Sequence, residues 1–150
     1  MAARVAAALG RVLAIEDLLA PAQQAGNPDH YCRHALYADA AGRFTILALI
    51  WGPGQRTPVH GHTAWGAAGV YRGTPTVAIY DLCRRGNGAM ECCETRRFVL
   101  QPGQTGYVRM GLDDIHRIGN EGRRDTAITI HAYGRDLIRE PDSLNIVLPV

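Results

Sequence analysis

The chain has 150 residues, 47% of them hydrophobic and 20% charged, enough for one core with little room for a second, so a single domain over residues 1–150 is expected. A formal net charge of +2 spread along the sequence leaves no basic stripe, which argues against a nucleic-acid partner. All 16 basic residues are Arg, which excludes Schiff-base chemistry through a protein Lys and, with abundant Ala and Gly, fits a GC-rich coding genome.

Residues 1–25 read as a helical segment. Val5, Leu9, Val12 and Leu13 recur at helical spacing, and Glu16 to Gln24 suits a second short helix before the turn Gly26-Asn27-Pro28-Asp29. Arg4, Arg11, Glu16 and Asp17 interrupt the Ala- and Leu-rich start, so neither a signal peptide nor a membrane anchor is expected. From residue 31 the texture changes. Tyr31–Tyr37, Phe44–Trp51, Trp65–Tyr71, Thr74–Leu82, Glu94–Leu100, Thr105–Met110 and Thr126–Tyr133 are short and rich in Val, Ile, Thr and aromatics, as strands are. Asp39-Ala40-Ala41-Gly42, Arg72-Gly73, Arg85-Gly86-Asn87-Gly88, Pro102-Gly103 and Gly122 punctuate them, and Asn145–Pro149 adds one more strand or an extended tail. The expectation is an all-β jelly-roll barrel over residues 31–150 behind short N-terminal α-helices.

The four cysteines, Cys32, Cys83, Cys92 and Cys93, have no CxxC spacing and are too sparse for a disulfide scaffold, so reduced thiols in a cytoplasmic protein are expected. Cys92 and Cys93 are neighbours and would point to opposite faces of a strand, which disfavours them as a zinc pair.

His60 and His62 stand two apart in what reads as a strand, so both rings share a face; His116 lies downstream in Gly111–Asn120. Three neutral imidazoles converging in a closed β-structure would hold a mononuclear metal and leave coordination positions open, as catalysis requires. By the same alternation Tyr31 and Arg33 share a face, as do Thr129, His131 and Tyr133, so each set is placed to line one cavity. Trp51 and Trp65 read as core, and His30 and His34 receive no role.

Gly54, His60, His62 and Gly73 fit the first motif of the cupin superfamily, which this chain closely resembles. The acidic position of that motif falls at Gly66, which leaves three histidines and no carboxylate. His116 followed by Asn120 matches the end of the second cupin motif, although its PxG is absent. A three-His cupin of this kind is similar to the thiol dioxygenases, the family of cysteine dioxygenase and 3-mercaptopropionate dioxygenase. Trp51-Gly52-Pro53-Gly54 matches its WGxG, Tyr31-Cys32-Arg33 its Tyr-x-Arg, and Thr129-Ile130-His131-Ala132-Tyr133 its Ser-x-His-x-Tyr relay with Thr for Ser. The resemblance spans Tyr31 to Gly134 with four motifs in order.

It implies Fe(II) on His60, His62 and His116, a substrate-binding Arg33 beside Tyr31, and a catalytic relay through Thr129, His131 and Tyr133. The expected partners are a small thiol carboxylate, L-cysteine or 3-mercaptopropionate, and O2, with a sulfinic acid as product. The position that in animal relatives carries a cross-linking Cys, five residues after the second His, is Ala67, so no Cys–Tyr thioether is expected. Trp65-Gly66 is similar to bacterial 3-mercaptopropionate dioxygenases, which have Gln where Arg33 stands, so the substrate signal is mixed. A cupin using nickel, manganese or zinc for another reaction, and a non-catalytic binding cupin, remain as alternative readings.

Overall fold

Thr45–Trp51 is apolar at all but its first position, and Ala127–Tyr133 alternates apolar residues with Thr129, His131 and Tyr133; both are buried at nearly every position, covered on both faces. In a computed structural model, which describes residues 1–86 and 88–150, both become strands inside one sheet. An α-helix, α1 (Ala2–Val12), precedes ten strands: β1 (Cys32–Ala38), β2 (Thr45–Trp51), β3 (His60–His62), β4 (Gly66–Arg72), β5 (Thr76–Arg84), β6 (Met90–Val99), β7 (Thr105–Val108), β8 (Gly111–Gly119), β9 (Ala127–Tyr133) and β10 (Asn145–Val147). They form two five-stranded antiparallel sheets, ordered β1-β2-β9-β4-β7 and β10-β3-β8-β5-β6. This is the jelly-roll architecture of a cupin, mostly β with a helical N-terminus.

Alternation along β2 and β9 assigns their side chains to two layers. Ala48, Ile50, Ile128 and Ile130 point outward, where Ala6, Leu9 and Leu13 of the N-terminal helical segment cover them. Leu47, Leu49, Trp51 and Ala127 point inward and pack with Ile118, Leu137 and Leu144. A third cluster of Val59, Ala78, Tyr80, Cys92 and Ile115 includes alternate residues of β5. At position 69 the glycine lets Leu13 of the helical layer pack close, since an added Cβ would have to displace its Cδ1.

Three expectations need correction. The segment Glu16–Gln24 is not a second α-helix: Asp17 adopts a left-handed conformation (φ 55°) and only Pro21–Gln24 forms a 3₁₀ turn. The strand β8, which carries His116, was not expected as a strand, because Asp113, Asp114 and Arg117 break its apolar alternation. Reduced thiols were expected throughout, but Cys83 and Cys93 form a disulfide across the β5–β6 hairpin. The register explains it: Cys83 faces Glu91 and Cys93 faces Asp81, so both sulfurs lie diagonally on one face with Cα atoms 6.0 Å apart. Cys32 and Cys92 are free. Of the turn Arg85–Gly88, Asn87 lies outside the described residues. Among the described residues no helix is long and apolar enough to cross a membrane.

Because α1 is short, burial of its apolar stripe and not intrinsic helicity holds it in place. Leu13→Ala, which opens a void at the buried end of that stripe, should cost about 2–5 kcal/mol in urea unfolding. A loss under 0.5 kcal/mol would show that the helical layer contributes little.

Candidate metal centre

The three histidines meet because two strands of the second sheet pair there. His60 on β3 lies opposite His116 on β8, while His62 lies opposite Gly111, so three extra residues of β8 bulge out between the two pairings. The middle residue of the His-x-His run must be glycine: a Cβ at Gly61 would stand 2.7 Å from Leu112 Cδ2. The three ring centroids are 4.8, 4.7 and 4.9 Å apart, a near-equilateral triangle. One ligand nitrogen from each ring lies within 4.8 Å of the others.

The donor set fits a metal ion. His60 Nδ1 donates to the Pro58 carbonyl (3.0 Å) and His116 Nδ1 to the Asp114 carbonyl (3.1 Å). A carbonyl only accepts, so both rings carry their proton on Nδ1 and offer the Nε2 lone pair. His62 Nδ1 is buried without a partner, so no protein group sets that ring's tautomer. Burial, reinforced by the charge of neighbouring His116, lowers His60 to about 4 and His62 to about 3, and burial lowers His116 as well. All three rings are neutral at physiological pH.

A cupin carboxylate would come from position 66, and Tyr133 explains its absence. Gly66 pairs with Tyr133 across β4 and β9, and a Cβ there would lie 2.8 Å from Tyr133 Cε1. The phenol ring occupies the volume an acidic side chain would need. Ala67 points the other way, into the cluster with Leu9 and Leu13. Position 66, and not position 67, therefore faces the tyrosine.

Thr129, His131 and Tyr133 project from β9 toward the histidines and form a continuous relay. Thr129 Oγ1 lies 2.7 Å from His131 Nε2, and His131 Nδ1 lies 2.7 Å from Tyr133 Oη. One end of it is anchored by a residue that the sequence pattern assigned only to the core. Trp51 Nε1, which can only donate, donates to Thr129 Oγ1 at 2.8 Å. Thr129 Oγ1 keeps a second lone pair and its own hydrogen, so it can donate to His131 Nε2 or accept from it; in the tautomer with the His131 proton on Nδ1, Thr129 donates to Nε2, Nδ1 donates to Tyr133 Oη, and the phenolic hydrogen is left for the cavity. Burial lowers His131 to about 3 and pushes the Tyr133 phenol well above its usual value, so both stay uncharged. The signal available in the sequence was Trp51 at the inward position of β2 beside Leu49, whose partner is Thr129.

Arg33 and Tyr31 line a small chamber of about 20 Å³ with His60 and Tyr133. The guanidinium is half committed, donating to the Tyr31 hydroxyl and to the Pro141 carbonyl, both at 3.0 Å. Its charge contributes to lowering His60 and His131. Arg135 and Arg139 are engaged elsewhere, with Glu140 and Ser143 and with Asp136. His34 binds the Ala25 carbonyl. Asn120, at the end of the second motif, donates to the Trp51 and Asp125 carbonyls and so ties the end of β2 to the loop after β8. A larger cavity of about 360 Å³ opens on the other side of the histidines.

The inward three-histidine cluster, set between two antiparallel five-stranded sheets, could hold a metal ion. The model of the family described as cysteine dioxygenase type I matches residues 25–138, and the chain belongs to that family. Solved structures agree on the fold. A protein of Thermus thermophilus has a TM-score of 0.58 at 19% identity, covering 81% of this chain and 96% of its own. A Klebsiella pneumoniae protein with a double-stranded β-helix domain gives 0.55 at 15%, covering 81% and 86%. The DMSP lyase DddQ of Ruegeria pomeroyi gives 0.55 at 13%, covering 79% and 52%.

Four histidines with lowered pKa values make the metal-free protein acid-sensitive. Unfolded, each would take up a proton near pH 6.5; folded, His60, His62 and His131 resist until about 3 to 4. The unfolded chain thus binds more protons in that window, and stability is lost as pH falls through it. The urea midpoint of metal-free protein should drop between pH 7.5 and 5.0; a midpoint that holds or rises would contradict neutral histidines. Trp51→Phe removes the donor that anchors the relay, at a cost of roughly 1–3 kcal/mol. Nitrogen NMR should then find His131 shifting from its Nδ1–H form toward a mixture of tautomers, whereas an unchanged Nδ1–H form would mean that Trp51 does not set the direction.

Proposed function

We propose that the protein is a cytoplasmic, mononuclear non-haem iron(II) thiol dioxygenase that converts a small thiol carboxylate, L-cysteine or 3-mercaptopropionate, to its sulfinic acid. The observation that carries this reading is a continuous hydrogen-bond relay ending at Tyr133, which lines the same cavity as His62 and His116. Membership of the cysteine dioxygenase type I family supports it. The net change is RSH + O2 → RSO2H: sulfur supplies all four electrons that dioxygen takes up, so no external reductant is needed.

His60, His62 and His116 would hold the iron as three neutral donors, and the iron would supply the chemistry by which a thiolate and dioxygen react. Tyr133 keeps its proton and aims it into the cavity, where it orients the substrate's polar end. Arg33, steadied by Tyr31, offers its remaining N–H groups to a carboxylate in the small chamber. Cover on both faces of β9 shields the relay from bulk water, so its polarity is not scrambled by exchange with solvent. With Ala at 67 and Gly at 66, no sulfur is available beside Tyr133, and the tyrosine acts without a thioether. Neither a nucleic acid nor a membrane enters the reaction.

Iron-loaded protein should consume about one O2 per sulfinate formed. His60→Ala, His62→Ala or His116→Ala should lose both metal and turnover; full iron occupancy in any of them would remove that residue from the ligand set. Tyr133→Phe should retain metal while slowing turnover or uncoupling O2 uptake from sulfinate, and the Tyr133 peptide should have its unmodified mass. Activity that follows nickel, manganese or zinc instead of iron, or thiol affinity without product, would replace the dioxygenase reading.

A further inference from the structure

The cavity of about 360 Å³ is far larger than a three-carbon thiol requires. It falls within the range of small-molecule sites and corresponds to roughly a dozen water volumes. Its walls are apolar: Val70, Val77, Ile79, Phe98, Leu100 and Val108 surround it, with His62, His116 and Tyr133 at one end. The space exists because the inward positions of β4 opposite Tyr133 and His131 are Gly66 and Ala68, too small to fill the barrel. The cavity opens between the edge strands β6 and β7, where Arg96, Phe98 and Tyr107 on its lining are exposed.

Arg96 distinguishes that opening. It lies opposite Ile79 in the β5–β6 pairing and rests over the Phe98 ring at 5.6 Å, and among the described residues it makes no hydrogen bond or ion pair. The two acidic residues on the same lining, Asp113 and Asp114, are both held by Arg109, at 3.7 and 3.0 Å. The chamber at Arg33, by contrast, has room for about one water.

We propose that this cavity binds the body of an elongated substrate, an alkyl thiol of roughly six to eight carbons with a terminal anionic group, its sulfur at the histidines and its anion on Arg96. This rests on the thiol dioxygenase reading and names the substrate class for it. The chain would replace water against apolar walls, and the unpaired guanidinium would gain a partner at the mouth. Short thiol carboxylates would then depend on Arg33 and long ones on Arg96.

Two measurements test the inference separately from the reaction. With metal-free protein, calorimetry should show octanoate binding and propionate not, with octylamine failing to compete; Arg96→Gln should weaken octanoate about tenfold or more. With iron-loaded protein, kcat/KM over ω-mercaptoalkanoates should rise about fourfold per added methylene beyond 3-mercaptopropionate until the cavity is full. Val77→Phe, which fills the cavity from the wall, should abolish that gain. If 3-mercaptopropionate is turned over but longer thiols are not favoured and octanoate does not bind, the substrate class proposed here is wrong. If octanoate binds through Arg96 while no thiol is oxidised, the cavity assignment stands and the dioxygenase reading fails. Octylamine binding in place of octanoate would assign the mouth to Asp113 and Asp114 and overturn the role of Arg96.

Discussion

The hydrogen bond from Trp51 Nε1 to Thr129 Oγ1 is the contact that ties the site's row of polar groups to the rest of the barrel. An indole N–H can only donate, whereas Thr, His and Tyr can each donate or accept. Without that bond, the row of groups on β9 could point either way at little cost. With it, one lone pair of Thr129 is taken, and in the tautomer with the His131 proton on Nδ1 the last proton of the row is delivered to the cavity. The same residue is fully buried, stacks on Tyr31 at 4.6 Å and accepts from Asn120 through its carbonyl. One side chain thereby couples the end of β2, the relay, the Arg33 side of the site and the loop after β8.

The barrel resolves a competition between filling its interior and leaving room for chemistry. Inward positions near Asn120 are filled by Leu47, Leu49, Trp51 and Ile118, a core that contributes roughly 1.5–3 kcal/mol per large aliphatic side chain. Inward positions of β4 are almost bare. Gly66 admits the Tyr133 ring where a carboxylate ligand would otherwise stand, so the loss of an acidic ligand and the gain of a phenol are one steric event. Ala68, one inward step further, faces His131 and leaves the space beyond it open.

Electrostatics follows from the same enclosure. Burial keeps His60, His62, His116 and His131 neutral and the Tyr133 phenol protonated, so the interior around the candidate metal position carries no charge of its own. The cations Arg33 and Arg96 stand at its two ends, each where water still reaches. The Arg33 end is cationic, whereas the Arg96 end also carries Asp113 and Asp114, which Arg109 pairs.

Much of this was legible in the amino-acid order, because it is written in local spacing. Period-two alternation placed His60 with His62, and Thr129 with His131 and Tyr133, on shared faces, and runs of β-branched residues marked most strands. The jelly roll and the three-histidine group were accessible for that reason. What sequence spacing could not supply is anything decided by which strands become neighbours. The strand carrying His116 was hidden by its charged residues, the Cys83–Cys93 bond depends on hairpin register, and the residue facing Tyr133 is Gly66 only because β4 pairs with β9 in that register. Trp51 looked like core and is core, yet its donor role appears only when β2 lies beside β9. The sequence by itself determined which residues could act and on which face of its own strand each lies; the tertiary structure alone decided which faces meet, because contacts between strands distant along the chain are set by packing and pairing, which local pattern does not encode.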